Sequence, residues 1–167
     1  MKSPVRQPDI LAKETMKSVI RTSNAIITFN NKLLLLLRDD KPSIPNANSW
    51  SLIGGVVEKG ESFIKAMKRE MAEEINVVPK DTKYLGKMKS SDGRIHAIFL
   101  SKMTKEESER VLLGDEGQKV DFFTLKEIRN IKLAKEISKY LSLYGEYLEK
   151  TLFGGRRINP MKLGLKP

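Results

Sequence analysis

Three glutamates, Glu70, Glu73 and Glu74, fall within five residues of one another on a segment with helical apolar spacing. At about 100° per residue, Glu73 and Glu74 lie roughly −60° and +40° around a helix from Glu70, so the three carboxylates share one sector. Ile64, Met67, Met71 and Ile75 recur at helical spacing as a stripe expected to be buried. That stripe borders the carboxylate sector, and Lys65, Lys68 and Arg69 lie on the other side. An ordinary surface helix interleaves lysines at i+4 with its glutamates; a like-charge cluster at the edge of a buried face repels itself and calls for a cation from outside. Hard carboxylate oxygens select magnesium, with manganese as the alternative. The chain has no cysteine and a single histidine, His96, so thiolate metal sites, cysteine nucleophiles and disulfides are excluded.

The elements that must hold these groups can be read from pattern. Ala25 to Phe29 and Lys32 to Leu37 read as two strands joined at Asn30-Asn31, residues that tolerate positive φ in a tight turn. The second run is apolar on both faces, which predicts a sheet covered by helices on both sides. Asp39 to Asn48 is a loop by composition, and Trp50 to Val57 a short strand interrupted by Gly54-Gly55. Ser62 caps a helix running to Ile75, which Asn76 ends in the left-handed conformation. Strands are predicted over 82–89, 93–103 and 118–124, with Ser91-Asp92-Gly93 as a hairpin turn. From Thr124 helical patterning runs to Lys150, with Leu141, Tyr144 and Leu148 on one face. Three regions follow: a short amphipathic extension at 1–20, a domain at 21–150, and a basic tail at 151–167 read as loose.

Taken alone, three glutamates on a helix are most often a solvated face. Here a glycine-rich strand feeds the helix, with Gly55-Val-Val-Glu-Lys-Gly-Glu61 followed at fixed distance by Arg69-Glu70-Met71-Ala72-Glu73-Glu74-Ile75-Asn76-Val77. This resembles the signature of the Nudix family, G-x5-E-x7-R-E-U-x-E-E-x-G-U with U aliphatic. Only Asn76 departs from it, standing where the family has glycine. The resemblance implies an α/β/α sandwich with a mixed central sheet and a divalent-metal-dependent hydrolase of diphosphate linkages. Carried over by position, it implies Glu73, Glu74 and the backbone carbonyl of Gly54 as metal ligands, with Glu70 as a further ligand or as the base in the same site. It further implies that Arg69 orients Glu70, that Glu61 supports the loop–helix junction or joins the metal shell, and that Glu116 acts as general base with Asp115 as its substitute. Arg38, which closes the aliphatic strand beside a loop, is a candidate phosphate-binding residue. Arg38, the Trp50-Ser-Leu-Ile-Gly-Gly55 lead-in and Glu116-Gly117-Gln118 look like the MutT-like branch, which acts on nucleoside triphosphates and releases pyrophosphate and a monophosphate.

Of the net charge of +10, residues 1–20 carry +2 and residues 151–167 carry +4, leaving +4 for the body between them. Such a body suits a nucleotide-like polyanion, and the basic tails keep a capped RNA end in view. Sugar nucleotides, dinucleoside polyphosphates and a non-catalytic nucleotide- or RNA-binding module are the other readings. An isoprenoid-diphosphate isomerase of this fold relies on a cysteine the chain lacks. His96, Trp50 and the aromatic residues Phe122, Phe123, Tyr140 and Tyr144 read as packing residues. No apolar run approaches a membrane span and no secretory signal is visible, so the expected location is the cytoplasm. A homodimer is an expectation of the resemblance, with the 1–20 extension as its candidate contact.

Overall fold

The computed structural model describes residues 19–167, so the 1–20 extension lies almost entirely outside the described residues. Asn30 and Asn31, at φ 46° and 57°, turn β1 (Arg21–Phe29) back into β2 (Lys32–Leu37). Ala25 to Thr28 and Leu33 to Leu36 are all buried, so this hairpin has no wet face. The Trp50–Val57 strand divides: β3 (Trp50–Ser51) pairs with β2, and β4 (Ile53–Val56) crosses to pair with β1. After β4 come α1 (Phe63–Ile75), β5 (Asp81–Lys89), β6 (Ile95–Lys102), α2 (Lys105–Glu109) and β7 (Lys119–Phe123). The chain closes with α3 (Leu125–Ile128), α4 (Lys135–Leu152) and a 3-10 turn at Pro160–Leu163.

Among the described residues seven strands form one mixed sheet in the order β3-β2-β1-β6-β5, with β4 added beside β1 and β7 beside β2. β1 and β6 run parallel, and the other pairs are antiparallel. Alternation along β1 and β2 sends Ala25, Ile27, Leu34 and Leu36 to a core under Met67, Met71 and Ile75 of α1. Ile26, Leu33 and Leu35 face the opposite core, closed by Leu125, Ile128 and Leu148 of α3 and α4. The fold is therefore the expected α/β/α sandwich. Among the described residues no helix is long and apolar enough to cross a membrane.

Three sequence expectations change. Ile64 is 39% exposed, because Phe63 fills that end of the core instead. The helix expected from Thr124 to Lys150 is broken between α3 and α4, where the backbone of Lys132 to Ala134 pairs with Trp50: Trp50 N–H donates to Lys132 O, and Ala134 N–H to Trp50 O. The segment 151–167, expected to be loose, packs back on the sheet. Leu163 and Leu165 are buried in the α4-side core, Tyr140 Oη donates to Leu163 O, and Lys166 exchanges backbone hydrogen bonds with Lys87 of β5. Leu163 ends the 3-10 turn and Gly164, at φ 68°, turns the chain in the left-handed conformation, so that Leu165 enters the same core. Replacing Leu163 by alanine should cost about 2–5 kcal/mol in urea unfolding, where a loose tail would cost nothing.

Helix α2 has no counterpart in the sequence reading, although Thr104 and Glu107 form a capping box. Glu107 also accepts from Lys80 N–H, tying α2 to the segment entering β5. The amides of Thr104 and Lys80 hold its carboxyl below the usual range. A carboxyl lowered on folding contributes stability above its unfolded pKa and loses it as pH falls through the folded one. Between pH 7 and pH 3 the wild-type protein should therefore lose more stability than Glu107→Gln, as read by thermal melts across that range.

Candidate active site

Helix α1 begins at Ser62, whose hydroxyl accepts from Lys65 N–H, and ends at Asn76 with φ 56°. Ser23 Oγ of β1 donates to Phe63 O and fixes the first turn to the sheet. The buried face of α1 comprises Ala66, Met67, Glu70, Met71, Glu74 and Ile75. Two of the three glutamates are thus drawn inside the edge of the core, and Glu73 stays outside with 56% of its side chain exposed.

Arg69 organises this edge. Its Nε and Nη2 donate to the two oxygens of Glu61 at 3.1 and 3.2 Å, and Nη1 donates to Glu70 Oε1 at 2.8 Å and Glu73 Oε2 at 3.0 Å. Nη2 also reaches Val56 O. The cluster is therefore not without an internal partner, as the helical wheel suggested: a long side chain 40° around the helix from Glu73 turns back over it. Arg69 holds the Glu61 carboxyl below its usual range, and Glu61 in turn raises the guanidinium further above its own. Both oxygens of Glu61 are engaged, one of them also by Glu58 N–H.

Glu74 lies apart from Arg69 and accepts from Gly54 N–H at 2.9 Å through Oε2. Burial pushes its carboxyl up to about 8, opposed by the Gly54 amide and reinforced by the charges of Glu70 and Glu116; Arg38 pulls it down. Burial likewise raises Glu70, against the pull of Arg69. Glu116, far away in sequence, therefore bears on both Glu70 and Glu74, and Arg38 on Glu74. Arg38 Nε donates to Pro45 O in the 39–48 loop, and Gln118 Nε2 binds Arg38 O, which holds the end of β2 to the start of β7. At Gly55 a Cβ would stand 2.5 Å from Glu70 Oε1 and would push that carboxylate from its place against Arg69.

Among the described residues no three acidic or histidine side chains are gathered closely enough to enclose a metal ion as they stand: Glu61, Glu70 and Glu73 are drawn to Arg69, and Glu74 to the Gly54 amide. The donor set nevertheless fits a hard divalent cation. Glu70 Oε2, Glu73 Oε1 and Glu74 Oε1 each have no hydrogen-bond partner among the described residues, and no buried side-chain oxygen is orphaned. Each of these oxygens therefore keeps some contact with solvent, slight for Glu70 and Glu74 and wide for Glu73. Glu61 has none to spare, which makes it the anchor of Arg69. His96 is absorbed elsewhere, between Thr22 Oγ1 and Ser90 Oγ.

Similarity to known proteins agrees with this arrangement. The NUDIX domain family model matches residues 20–144. An ADP-ribose pyrophosphatase of Methanocaldococcus jannaschii is 32% identical over 123 residues, covering 72% of this chain and 70% of that one. The NUDIX domain of Shewanella oneidensis NrtR, solved with ADP ribose, superposes with a TM-score of 0.64 at 19% identity, covering 82% of this chain and 93% of that one. A bifunctional NMN adenylyltransferase/ADP ribose pyrophosphatase of Francisella tularensis, solved with AMP and a manganese ion, gives a TM-score of 0.61 at 21% identity. That likeness covers 81% of this chain and 43% of the other. With its signature helix, its sandwich and a family match over most of its length, the chain belongs to the NUDIX family of pyrophosphohydrolases.

Proposed function

We propose that the chain hydrolyses the diphosphate linkage of a nucleoside diphosphate sugar of the ADP-ribose type, giving a nucleoside monophosphate and a sugar phosphate, with magnesium or manganese as the metal. The observation that carries this reading is the set of three unpartnered carboxylate oxygens on one helix: Arg69 holds Glu70 and Glu73, and the Gly54 amide holds Glu74. The name of the Methanocaldococcus jannaschii relative supports the substrate class. A bound divalent ion would neutralise diphosphate charge and make water a better nucleophile. Glu70, Glu73, Glu74 and the Gly54 carbonyl would hold that ion. Arg69 fixes Glu70 and Glu73, and Glu61 fixes Arg69. Glu116 accepts the proton that water loses as its oxygen bonds to phosphorus and the bridging oxygen departs. Arg38, whose charge reaches Glu74, would bind the phosphates.

Nucleoside triphosphates are the second reading, supported by the Trp50 to Gly55 lead-in and by Glu116-Gly117-Gln118. A magnesium-dependent panel separates the two. ADP-ribose releases phosphate only when alkaline phosphatase follows its cleavage, and a triphosphate cleaved to pyrophosphate gives signal only with inorganic pyrophosphatase. Dinucleoside polyphosphates and capped RNA complete the panel. Hydrolysis of triphosphates alone would replace the substrate, and no hydrolysis of any compound would overturn the reading in favour of a binding module.

A further inference from the structure

We infer that Asn76, the one position at which this chain leaves the family signature, is a positioning residue that latches the loop carrying Glu116 onto the end of the glutamate helix. The inference rests on the proposed role of Glu116. The backbone of Asn76 does what a glycine would do: at φ 56° it ends α1, and its N–H donates to Ala72 O. Its side chain does something glycine lacks the atoms for. Asn76 Nδ2 donates to Leu112 O at 3.2 Å, while Leu112 N–H donates to Ile75 O at 3.2 Å and Gly114 N–H to Glu74 O at 2.9 Å.

Residues 112–114 are thus sewn to the last turn of α1 by three hydrogen bonds, and little else holds them there. Leu112 is 66% exposed and Leu113 37%, so neither side chain belongs to the core; the nearest residue packed against it is Val111, at the rim of the α1-side core. The approach is close enough that a Cβ on Gly114 would overlap Glu73 O at 1.6 Å. Glu116 follows two residues later, and its charge is felt by Glu70 and Glu74. The same helical turn that presents Glu73 and Glu74 therefore sets the position of the candidate base, and Asn76 supplies the only side-chain bond in that seam among the described residues.

Asn76→Gly separates this role from helix capping. Glycine is the better residue in the left-handed conformation, so a role confined to capping predicts unchanged or higher stability and unchanged kinetics. The latch predicts unchanged or higher stability with kcat for ADP-ribose lowered about fivefold, the worth of one exposed hydrogen bond, and KM held within about twofold. Asn76→Asp, which keeps the size but loses the donor, should lower kcat likewise. Because Asn76 acts through Glu116, Asn76→Gly should have no further effect in a Glu116→Ala background. Hydrogen exchange at the Leu112 and Gly114 amides, which needs no substrate, should quicken in both Asn76 variants. Unchanged exchange overturns the inference whatever the enzyme acts on. So does an unchanged kcat in both variants of an active enzyme, or losses that multiply with Glu116→Ala. An inactive wild-type protein with quickened exchange would instead sink the proposed function and leave the latch standing.

Discussion

Glu74→Gln should fold as well as the wild-type protein and lose on the order of 10³-fold in kcat. Burial already disfavours the charged form of Glu74, and a glutamine oxygen can still accept from Gly54 N–H, so stability without metal should be equal or higher. What glutamine lacks is charge at the oxygen that faces solvent. Changes in residues that merely orient metal ligands typically cost about 10–100-fold, and replacing a proposed ligand should exceed that. The chemistry is mostly positioning and charge stabilisation, so the loss should fall on kcat rather than on KM. Steady-state kinetics at saturating magnesium, with a thermal melt of each protein, decide the matter. Full activity in Glu74→Gln would remove this residue from the metal shell.

Arg69→Met should lower both stability and activity, and magnesium should restore part of the first. The arginine side chain is 25% exposed, while those of its partners Glu61 and Glu70 are 14% and 11% exposed. Removing one member of a buried ion pair costs about 3–5 kcal/mol, mostly through the charges left behind; water reaching Arg69 and Glu73 reduces this to about 2–3 kcal/mol. A divalent cation would relieve the same repulsion. Urea unfolding of Arg69→Met should therefore show a larger magnesium-dependent gain than the wild-type protein, with kcat about 10–100-fold lower because Glu70 and Glu73 lose their orientation. A variant as stable as wild type without metal would mean that the glutamates do not need the guanidinium.

Most of the glutamate helix was legible from residue type and spacing. Ser62 and Asn76 mark its ends by their capping chemistry, and the i, i+3, i+4 spacing of Glu70, Glu73 and Glu74 puts them in one sector whatever surrounds them. The doubly buried β2 was equally plain, since five leucines in a row leave no polar face. The centre of the cluster was less so. A helical wheel treats side chains as radial spokes, and Arg69 is long enough to reach Glu61, Glu70, Glu73 and Val56 O from one position. Contacts that depend on tertiary approach were not legible at all. Leu163 and Leu165 look like scattered leucines in a basic tail until β5 gives them an edge to follow, and the gap between α3 and α4 exists because Trp50 takes the backbone of residues 132–134. The capping box at Thr104 was visible in the sequence as a T-x-x-E pattern, but the five-residue helix behind it is too short to show apolar periodicity.

The central claim is that the carboxylates of α1 bind the divalent ion on which diphosphate hydrolysis depends. Titrating metal-free protein with manganese, and following the free ion by electron paramagnetic resonance, tests it without reference to any substrate. Saturable binding in the wild-type protein, weakened at least about tenfold in Glu74→Gln, is the predicted result. Equal binding by the two proteins, or none by either, would contradict it.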